Sequence, residues 1–304
     1  MKIRRTVCTI IMVICSISLL FATGSENLTF RFFDFPELGK LGQKWGDCTL
    51  ITFPNGEVML LDSGISGVSS YLVQNLKELG ITRIDKMILS HVHSDHYGGL
   101  RSVLNNFPIG DFYWNGFCST NETWVIDLLK NHNVPIHLIS AGDVIEIGDV
   151  TIKVLYPSRQ QLDSLPVQDS DAAMINMNNN SLCLRFEHGD NSALFCGDLY
   201  KVAENAVIES VPPQILDCDL LKVNHHGHDT SSSKAWVQAT SPKAAVMMGN
   251  IVMNLVLYKR FVDVGCTPLA TWMNGTILVE MDGTTIDVTA ENPEINEYYR
   301  KLIK

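Results

Sequence analysis

The sequence has few charged side chains and fewer basic than acidic ones. Only 18% of its 304 residues are charged, and 23 Lys and Arg stand against 33 Asp and Glu, which leaves a net charge of −10. A surface of that sign disfavours polyanionic partners, because phosphate contacts dominate the affinity of proteins for nucleic acids. Hydrophobic residues make up 46% of the chain. This composition is globular and excludes a largely disordered chain.

Motifs of several common protein classes are absent from the sequence. It contains no GxSxG nucleophile elbow and no GxxxxGK[ST] phosphate loop. These absences argue against a serine hydrolase of the α/β-hydrolase type and against a P-loop nucleoside triphosphatase. No CxxC pair occurs among its eight cysteines. We expect three of them to be buried thiols, because they lie in apolar, strand-like runs: Cys183, Cys196 and Cys218.

The N-terminus places a basic segment before a long apolar run. Residues 2–5 read KIRR, the apolar run covers residues 7–22, and Ala22 and Gly24 put small residues at the −3 and −1 positions of a cleavage site. This order is typical of a secretory signal peptide. We therefore expect a signal peptide over residues 1–24 and one domain over residues 25–304, secreted or periplasmic. An uncleaved segment would instead anchor the protein, and no later segment predicts a stable membrane span.

Short apolar strands alternate with amphipathic helices along the remainder of the chain. Apolar residues at positions 72, 73, 76 and 79 have helical spacing, and Gly148-Asp149 and Asp282-Gly283 are two-residue hairpin signals between strand-like runs. The alternation predicts an α/β fold. The Asn-rich segment 158–180 lacks such a pattern and predicts a long loop, either functional or mobile.

Three histidines and an aspartate fall within six residues, directly after an apolar strand. The segment is HVHSDH at residues 91–96. Alternate side chains of an extended segment point to one side, so His91 and His93 can share one ion, while Asp95 and His96 can face a second. Imidazole and carboxylate together suit zinc, and also manganese or iron. This density of ligand-type residues predicts a metal site.

The HxHxDH segment resembles the hallmark of the metallo-β-lactamase superfamily. Further superfamily elements follow in order, with Asp62 in LLDSG, Asp198 in FCGD and the VNHHG segment at residues 223–227. The resemblance covers residues 28–290 and implies a four-layer αββα sandwich. WGDCTLI at residues 45–51 and LLKVNHHGHDTSSS, ending at residue 233, are similar to ComEC-like and phosphorylcholine-esterase-like domains.

The resemblance implies both the metal ligands and the catalytic residues. The last ligand is either His225 or His226. Register with members that carry one histidine favours His226, which leaves His225 to orient a ligand, a substrate or the leaving group. Asp62 would support the site, and Asp198 would bridge two ions. The implied metal ligands are His91, His93, Asp95, His96, Asp198 and His226, and the implied catalytic residues are Asp95, Asp198 and His225.

One superfamily feature is missing from this sequence. The third histidine of the first metal site is expected just before residue 181, where residues 176–181 read NMNNNS. Asn178, Asn180 or a water would then complete that site.

The resemblance implies a pair of divalent metal ions as cofactor, with Zn²⁺ as the first choice and Mn²⁺ as the alternative. The sequence therefore predicts an exported phosphodiesterase that uses a metal-bound hydroxide on a small or surface-linked phosphodiester. His225, His228 or Tyr97 could protonate the leaving oxygen. The alternatives are a ComEC-like nuclease and a lactonase or β-lactamase. Nucleic acid is the less expected partner, since candidates for a basic patch are scattered in the sequence: Lys222, Lys234, Lys259 and Arg260.

Overall fold

The computed structural model describes residues 26–38, 44, 46–165, 171–249 and 255–293. The strands within these residues are β1 (Leu28–Phe32), β2 (Thr49–Thr52), β3 (Val58–Leu61), β4 (Ile84–Ile88), β5 (Ile109–Trp114), β6 (Ile136–Leu138), β7 (Val144–Ile147), β8 (Val150–Tyr156), β9 (Cys183–His188), β10 (Asn191–Phe195), β11 (Leu220–Lys222), β12 (Ala244–Met247), β13 (Thr267–Ala270), β14 (Ile277–Met281) and β15 (Ile286–Ala290).

The helices within the same residues are mostly short. They are α1 (Ser69–Glu78), α2 (Ser94–Tyr97), α3 (Leu100–Asn106), α4 (Trp124–Asn131), α5 (Arg159–Ser164), α6 (Asp171–Asn179), α7 (Lys201–Ser210), α8 (Pro213–Leu216), α9 (Lys234–Thr240), α10 (Leu255–Asp263) and α11 (Thr271–Asn274). Three 3₁₀ turns cover Ser66–Val68, Thr120–Glu122 and Asn224–Gly227.

Two sheets face each other at the centre of the described fold. One has the strand order β15-β14-β1-β2-β3-β4-β5-β6, and the other has the order β13-β12-β11-β10-β9-β8-β7. Phe30 of the first sheet packs against Phe186 and Phe195 of the second, with ring centroids 5.5 and 5.4 Å apart. These side chains belong to one apolar core between the sheets.

A helical layer covers the outer face of each sheet. Leu72 and Val73 of α1 and Leu128 and Leu129 of α4 belong to a core with the first sheet. Val207 of α7, Trp236 of α9 and Phe261 of α10 belong to a core with the second sheet. The predicted four-layer αββα sandwich is therefore confirmed.

Parallel strands bring the candidate site together. Strand β3 pairs in parallel with β4, and β10 pairs in parallel with β11. Parallel neighbours end at the same edge of their sheet, so the residues that follow them gather there. Asp62 follows β3, residues 91–96 follow β4, Asp198 follows β10 and His226 follows β11.

The structure corrects two expectations from the sequence. Segment 158–180 is not a loop throughout, because α5 and α6 occupy most of its described part. Cys183 and Cys196 are not free thiols but a disulfide, since they lie opposite each other where β9 and β10 pair. Cys218 is a buried free thiol, as predicted.

The predicted signal peptide at residues 1–24 lies outside the described residues. Among the residues that the structure describes, no helix is both long enough and apolar enough to cross a bilayer. The predicted hairpins β7–β8 and β14–β15 form, and β9 and β10 form another antiparallel hairpin.

Candidate metal centre

The HVHSDH segment changes from extended chain to helix at His93. His93 has extended backbone angles and caps α2, and its carbonyl accepts from the His96 and Tyr97 amides at 2.9 and 3.0 Å. The extended part carries His91, and the helical turn carries Asp95 and His96. One short segment thus supplies ligand-type side chains from two directions.

The carboxylate of Asp198 is the common point of the centre. Its Oδ2 atom lies 3.2 Å from His96 Nε2, 3.3 Å from His226 Nε2 and 3.9 Å from both His91 Nε2 and His225 Nε2. The structure therefore brings Asp198 to the position between the two groups of ligands that the sequence predicted for it.

The remaining predicted ligands form two groups beside Asp198. His91 Nε2 lies 3.1 Å from His93 Nδ1. On the other side, His226 Nε2 lies 3.1 Å from Asp95 Oδ2. The structure thus brings together all six predicted ligands, and it places His226 rather than His225 against Asp95.

Buried charges of opposite sign determine the protonation of this centre. Burial alone would raise the pKa of Asp198, but protonated His226 and His96 together with Lys222 hold it well below its usual range. Burial opposes protonation of His96 and His226, yet the surrounding carboxylates raise both pKa values well above the usual range. Burial, together with His96 and His93, lowers the pKa of His91 well below its usual range.

Two further carboxylates orient the histidines from outside. Asp62 Oδ2 accepts from His96 Nδ1 at 2.8 Å, and its oxygens also accept from the amide and hydroxyl of Ser90 at 2.8 and 2.7 Å. Asp47 Oδ1 accepts from His226 Nδ1 at 3.0 Å. Such partners fix which ring nitrogen faces a metal. The sequence predicted this supporting role for Asp62 but assigned none to Asp47.

Asp47 also forms a buried ion pair with Lys222. Lys222 is 3% exposed, and its Nζ lies 3.5 Å from Asp198 Oδ1 and donates to the Gly197 carbonyl at 3.3 Å. Lys222 is therefore part of the centre and not of a surface patch. A single lysine within the apolar strand β11 was the signal that could have indicated this.

The donor set fits divalent metal ions. Asp47, His96, Asp198 and His226 each offer a ligand atom within 4.8 Å of the others. Because Asp47 contacts Nδ1 of His226 and Lys222, we assign it as an orienting residue, and Asp95, which faces Nε2, as the ligand. His93 Nε2 is buried and has no hydrogen-bond partner. His91 Nε2 and His93 Nδ1, which face each other at 3.1 Å, are imidazole donors of the kind expected in a zinc-type site.

The structure distinguishes the two asparagines proposed for the first site. Asn178 Oδ1 is buried without a hydrogen-bond partner. Its Nδ2 donates to the Tyr200 hydroxyl at 2.8 Å. In contrast, Asn180 Oδ1 accepts from Gln161 Nε2 at 2.6 Å, and Asn180 Nδ2 donates to the Asn176 carbonyl at 2.8 Å. The geometry therefore favours Asn178.

His225 and His226 stand on an unusual turn. Both have positive φ angles, of 48° and 55°, and Gly227 follows at 82°. From this turn the Nε2 atoms of both rings approach Asp198 Oδ2, at 3.9 Å for His225 and 3.3 Å for His226. His225 Nδ1 lies 2.6 Å from Thr230 Oγ1, so its Nε2 faces Asp198.

A cavity of about 270 Å³ opens beside the centre. Its described lining contains no Lys or Arg and includes the acidic side chain of Glu122. The residues lining it are Val92, His93, Ser94, Asp95, Tyr97, Glu122, Met174, Met177, Asn178, Asp198, Tyr200 and His225. Residues from segment 158–180 thus form one wall, as expected of a functional segment.

The remaining candidates for a basic patch lie elsewhere. Lys234, Lys259 and Arg260 border a separate groove of about 280 Å³ between α9 and α10. Lys259 is paired with Asp263 at 2.5 Å, and Arg260 donates to the Ser232 carbonyl at 2.8 Å. These three cations lie together although they are scattered in the sequence, but two of them already have partners.

The sequence analysis also missed Glu204, a fully buried acid in α7. The signal was an acidic residue on the apolar stripe of a helix, next to Ala203 and one turn before Val207.

Comparison with known proteins agrees with this geometry. A family model described as the metallo-beta-lactamase superfamily matches residues 46–249. The chain belongs to that superfamily. The prediction of a metallo-β-lactamase superfamily hydrolase is confirmed at that level.

Curated relatives support the ComEC-like part of the resemblance. The chain is 28% identical over 259 residues to ComE operon protein 3 of Bacillus subtilis, covering 76% of this chain and 32% of the relative. It is 27% identical over 197 residues to competence protein ComA of Neisseria gonorrhoeae, covering 62% and 23%. The chain thus spans a third or less of the length of these relatives.

Solved structures share the fold at low sequence identity. The metallo-beta-lactamase fold protein YhfI from Bacillus subtilis matches with a TM-score of 0.53 and 13% identity, over 80% of this chain and 96% of that chain. Tm1679, described as a metal-dependent hydrolase of the beta-lactamase superfamily, matches with a TM-score of 0.50 and 12% identity, over 80% and 95%.

Proposed function

We propose that the protein is an exported, metal-dependent phosphodiesterase that acts on a small or surface-linked phosphodiester. One observation carries the proposal. Asp198 Oδ2 lies within 3.9 Å of Nε2 atoms from both ligand groups, beside a cavity of about 270 Å³. His91, His93 and Asn178 would hold one ion, Asp95, His96 and His226 would hold the other, and Asp198 would contact both.

Two divalent ions, when bound, would lower the pKa of a water and offset negative charge on a phosphate oxygen. The residues of the chain supply orientation and proton transfer. Burial lowers the pKa of His225 to about 4. At neutral pH its ring is therefore neutral, and Nε2 can accept a proton or a hydrogen bond at the cavity wall.

We assign protonation of the leaving oxygen to Tyr97 because its hydroxyl is a donor at the cavity. It lines the cavity. Burial raises the pKa of its hydroxyl, and Glu122 and Asp95 raise it further. The hydroxyl therefore keeps its proton at neutral pH and is a proton donor there. This assignment chooses Tyr97 from the donors that the sequence left open.

The lining of the cavity supports a small diester. One negatively charged phosphodiester can be neutralised by the ions, but the described lining provides no Lys or Arg for a second phosphate, and Glu122 opposes one. The net charge of −10 acts in the same direction over longer distances. Export is inferred from the N-terminal 24 residues alone.

A nuclease is the second candidate function. The relatives named for competence, together with recombination protein 2 of Haemophilus influenzae (22% identity over 287 residues), favour nucleic acid as a substrate class. The groove with Lys234 and Lys259 offers a surface on which phosphates could lie.

A substrate panel separates these functions. Zinc- and manganese-loaded protein should be assayed on bis-p-nitrophenyl phosphate, p-nitrophenyl phosphorylcholine, nitrocefin, a lactone and linear DNA, with Asp198→Asn as the matched inactive control. We expect the two phosphodiesters to be turned over fastest. Faster turnover of nitrocefin or the lactone would refute the proposal. Efficient DNA cleavage that falls steeply with salt, and with Lys234→Gln/Lys259→Gln, would establish the nuclease.

A further inference from the structure

Glu204 is a buried carboxylate that the proposed chemistry does not use. It lies in the first turn of α7 and is 0% exposed. Within the described residues, no Lys, Arg or His lies within ion-pair distance of it. An unpaired buried carboxylate is costly unless hydrogen bonds compensate for the lost water, so its partners indicate what it does.

The three groups that donate hydrogen bonds to the Glu204 carboxylate all belong to one stretch of chain. Glu204 Oε1 accepts from Asn224 Nδ2 at 2.9 Å and from the Ser232 amide. Glu204 Oε2 accepts from the Ser233 amide at 2.9 Å. Asn224 immediately precedes His225, and Ser232 closes the turn that carries His228 and Thr230. A single carboxylate therefore holds both ends of residues 225–231.

This stretch does not follow its path through backbone preference. His225, His226 and Ser232 have φ angles of 48°, 55° and 50°. Left-handed backbone is unfavourable for a residue with a Cβ, because the Cβ approaches the following carbonyl oxygen. Such a conformation persists only where the surroundings fix it.

The first residue of α7 and the segment that precedes this helix also hold the stretch through backbone hydrogen bonds. The Lys201 amide donates to the Thr230 carbonyl at 3.0 Å, and the His225 amide donates to the Gly197 carbonyl at 3.2 Å. Because α7 begins three residues after Asp198, Glu204 connects the Asp198 segment to the His226 segment.

We propose that Glu204 is a positioning residue that holds residues 225–231, including the left-handed His225 and His226, in their observed path and so aims His226 Nε2 and His225 Nε2 at Asp198. The proposal requires the metal-binding part of the proposed function but not the phosphodiester substrate. Glu204 does not touch the site itself and acts through Asn224, Ser232 and Ser233.

The test compares Glu204→Gln with Glu209→Gln, a change to an exposed acid in the same helix. Glutamine keeps the shape of glutamate but presents an NH₂ group to a hydrogen-bond donor. We expect Glu204→Gln to lower zinc affinity, measured by competition with a chromophoric chelator, by about 10–100-fold, as for other outer partners of metal ligands. Glu209→Gln should leave the affinity unchanged.

Hydrogen exchange of the metal-free proteins gives an independent readout. In Glu204→Gln the amides of residues 225–233 should exchange faster, while those of β9 and β10 should not. Asn224→Ala removes one of the three bonds and should shift both readouts less in the same direction. Unchanged zinc affinity and exchange in a folded Glu204→Gln variant would overturn the proposal. If that variant does not fold, unchanged readouts in Asn224→Ala would overturn it. Because no substrate is used, loss of the phosphodiesterase proposal would leave this result intact.

Discussion

Asp47 accepts a hydrogen bond from His226 Nδ1 at 3.0 Å, although 179 positions separate the two residues in the chain. Burial would raise the pKa of Asp47, but Lys222 and His226 hold it far below its usual range. The carboxylate is therefore ionised, and the proton of the hydrogen bond must sit on Nδ1. Nε2 of His226 is thereby free to face Asp95 and Asp198, which is the orientation that a metal ligand requires.

The Asp47–Lys222 ion pair should be a major determinant of stability. Asp47→Ala leaves the buried ammonium of Lys222 with Asp198 Oδ1, 3.5 Å away, as its remaining ion-pair partner, and breaking a buried pair from one side costs about 3–5 kcal/mol. We expect that loss in the free energy of unfolding of the metal-free protein in urea. Asp47→Ala combined with Lys222→Met should cost less than Asp47→Ala alone. A double variant that is less stable than the single one would contradict this assignment.

Asp198→Ala should abolish turnover while the fold remains. Removing an outer partner of a metal ligand already costs about 10–100-fold, so loss of the shared carboxylate should cost more than about 100-fold. No apolar contact is lost, because the side chain is polar. Phosphodiester turnover measures the loss of activity, and far-UV circular dichroism measures whether the fold remains. Wild-type turnover in a variant with a native spectrum would disprove the role of Asp198.

The two adjacent histidines should respond differently to truncation. His226→Ala removes the ring that lies 3.1 Å from Asp95 and 3.3 Å from Asp198, whereas the ring of His225 lies 3.9 Å from Asp198. We expect His226→Ala to retain less metal than His225→Ala after dialysis, measured by elemental analysis. His225→Ala should mainly reduce turnover. The reverse order would exchange the two roles.

Four of the six proposed ligands could be grouped from the sequence because their spacing is local. His91, His93, Asp95 and His96 are adjacent, and a strand followed by a helical turn is enough to separate them into two directions. The Cys183–Cys196 disulfide depends on the pairing of β9 with β10. The register of these strands pairs Leu184 with Phe195 and so places Cys183 opposite Cys196. The apolar runs around Cys183 and Cys196 predict that both are buried, but they do not give the strand register that brings the two sulfur atoms together.

The outer partners could not be predicted because their roles depend on distant segments. Nothing near Asp47 in the chain indicates His226 or Lys222. Glu204 carried a signal, an acid on an apolar stripe, but its three partners lie 20 to 29 positions away. The sequence predicts a loop over residues 158–180 because the low helix propensity of the asparagines outweighs the high propensity of the Ala and Met residues in α6.

Metal affinity should fall as the pH falls. Neighbouring carboxylates raise the pKa values of His96 and His226 well above the usual range, against the effect of burial. Both rings of the metal-free protein therefore carry protons at neutral pH, and a metal must displace them. We expect proton release on zinc binding, detected by calorimetry in buffers of different ionisation enthalpy. Binding whose heat and affinity are independent of buffer and pH would show that these rings bind no metal.

Asn178→His should strengthen the first metal site. Asn178 lines the cavity with His93 and Asp198, and its Oδ1 has no hydrogen-bond partner. The resemblance to the superfamily predicts a histidine just before residue 181. Imidazole is a stronger zinc ligand than an amide oxygen. The flexible side chains of Met174 and Met177 border the same cavity and can make room for the larger ring. We expect the weaker of two zinc equivalents to bind at least about 10-fold more tightly.

Alanine variants supply the contrast for this prediction. Asn178→Ala should weaken the first equivalent of bound metal, because it removes the unpaired oxygen, and loss of the Nδ2 hydrogen bond to Tyr200 should lower the free energy of unfolding by only about 1 kcal/mol. Asn180→Ala should leave metal binding unchanged and lower the free energy of unfolding by about 1–3 kcal/mol, because the Asn180 side chain bonds both Gln161 and Asn176. Zinc titrations and urea unfolding of the three variants decide the matter. If Asn180→Ala loses metal and Asn178→Ala does not, Asn180 is the ligand, and the unpaired oxygen of Asn178 has another cause.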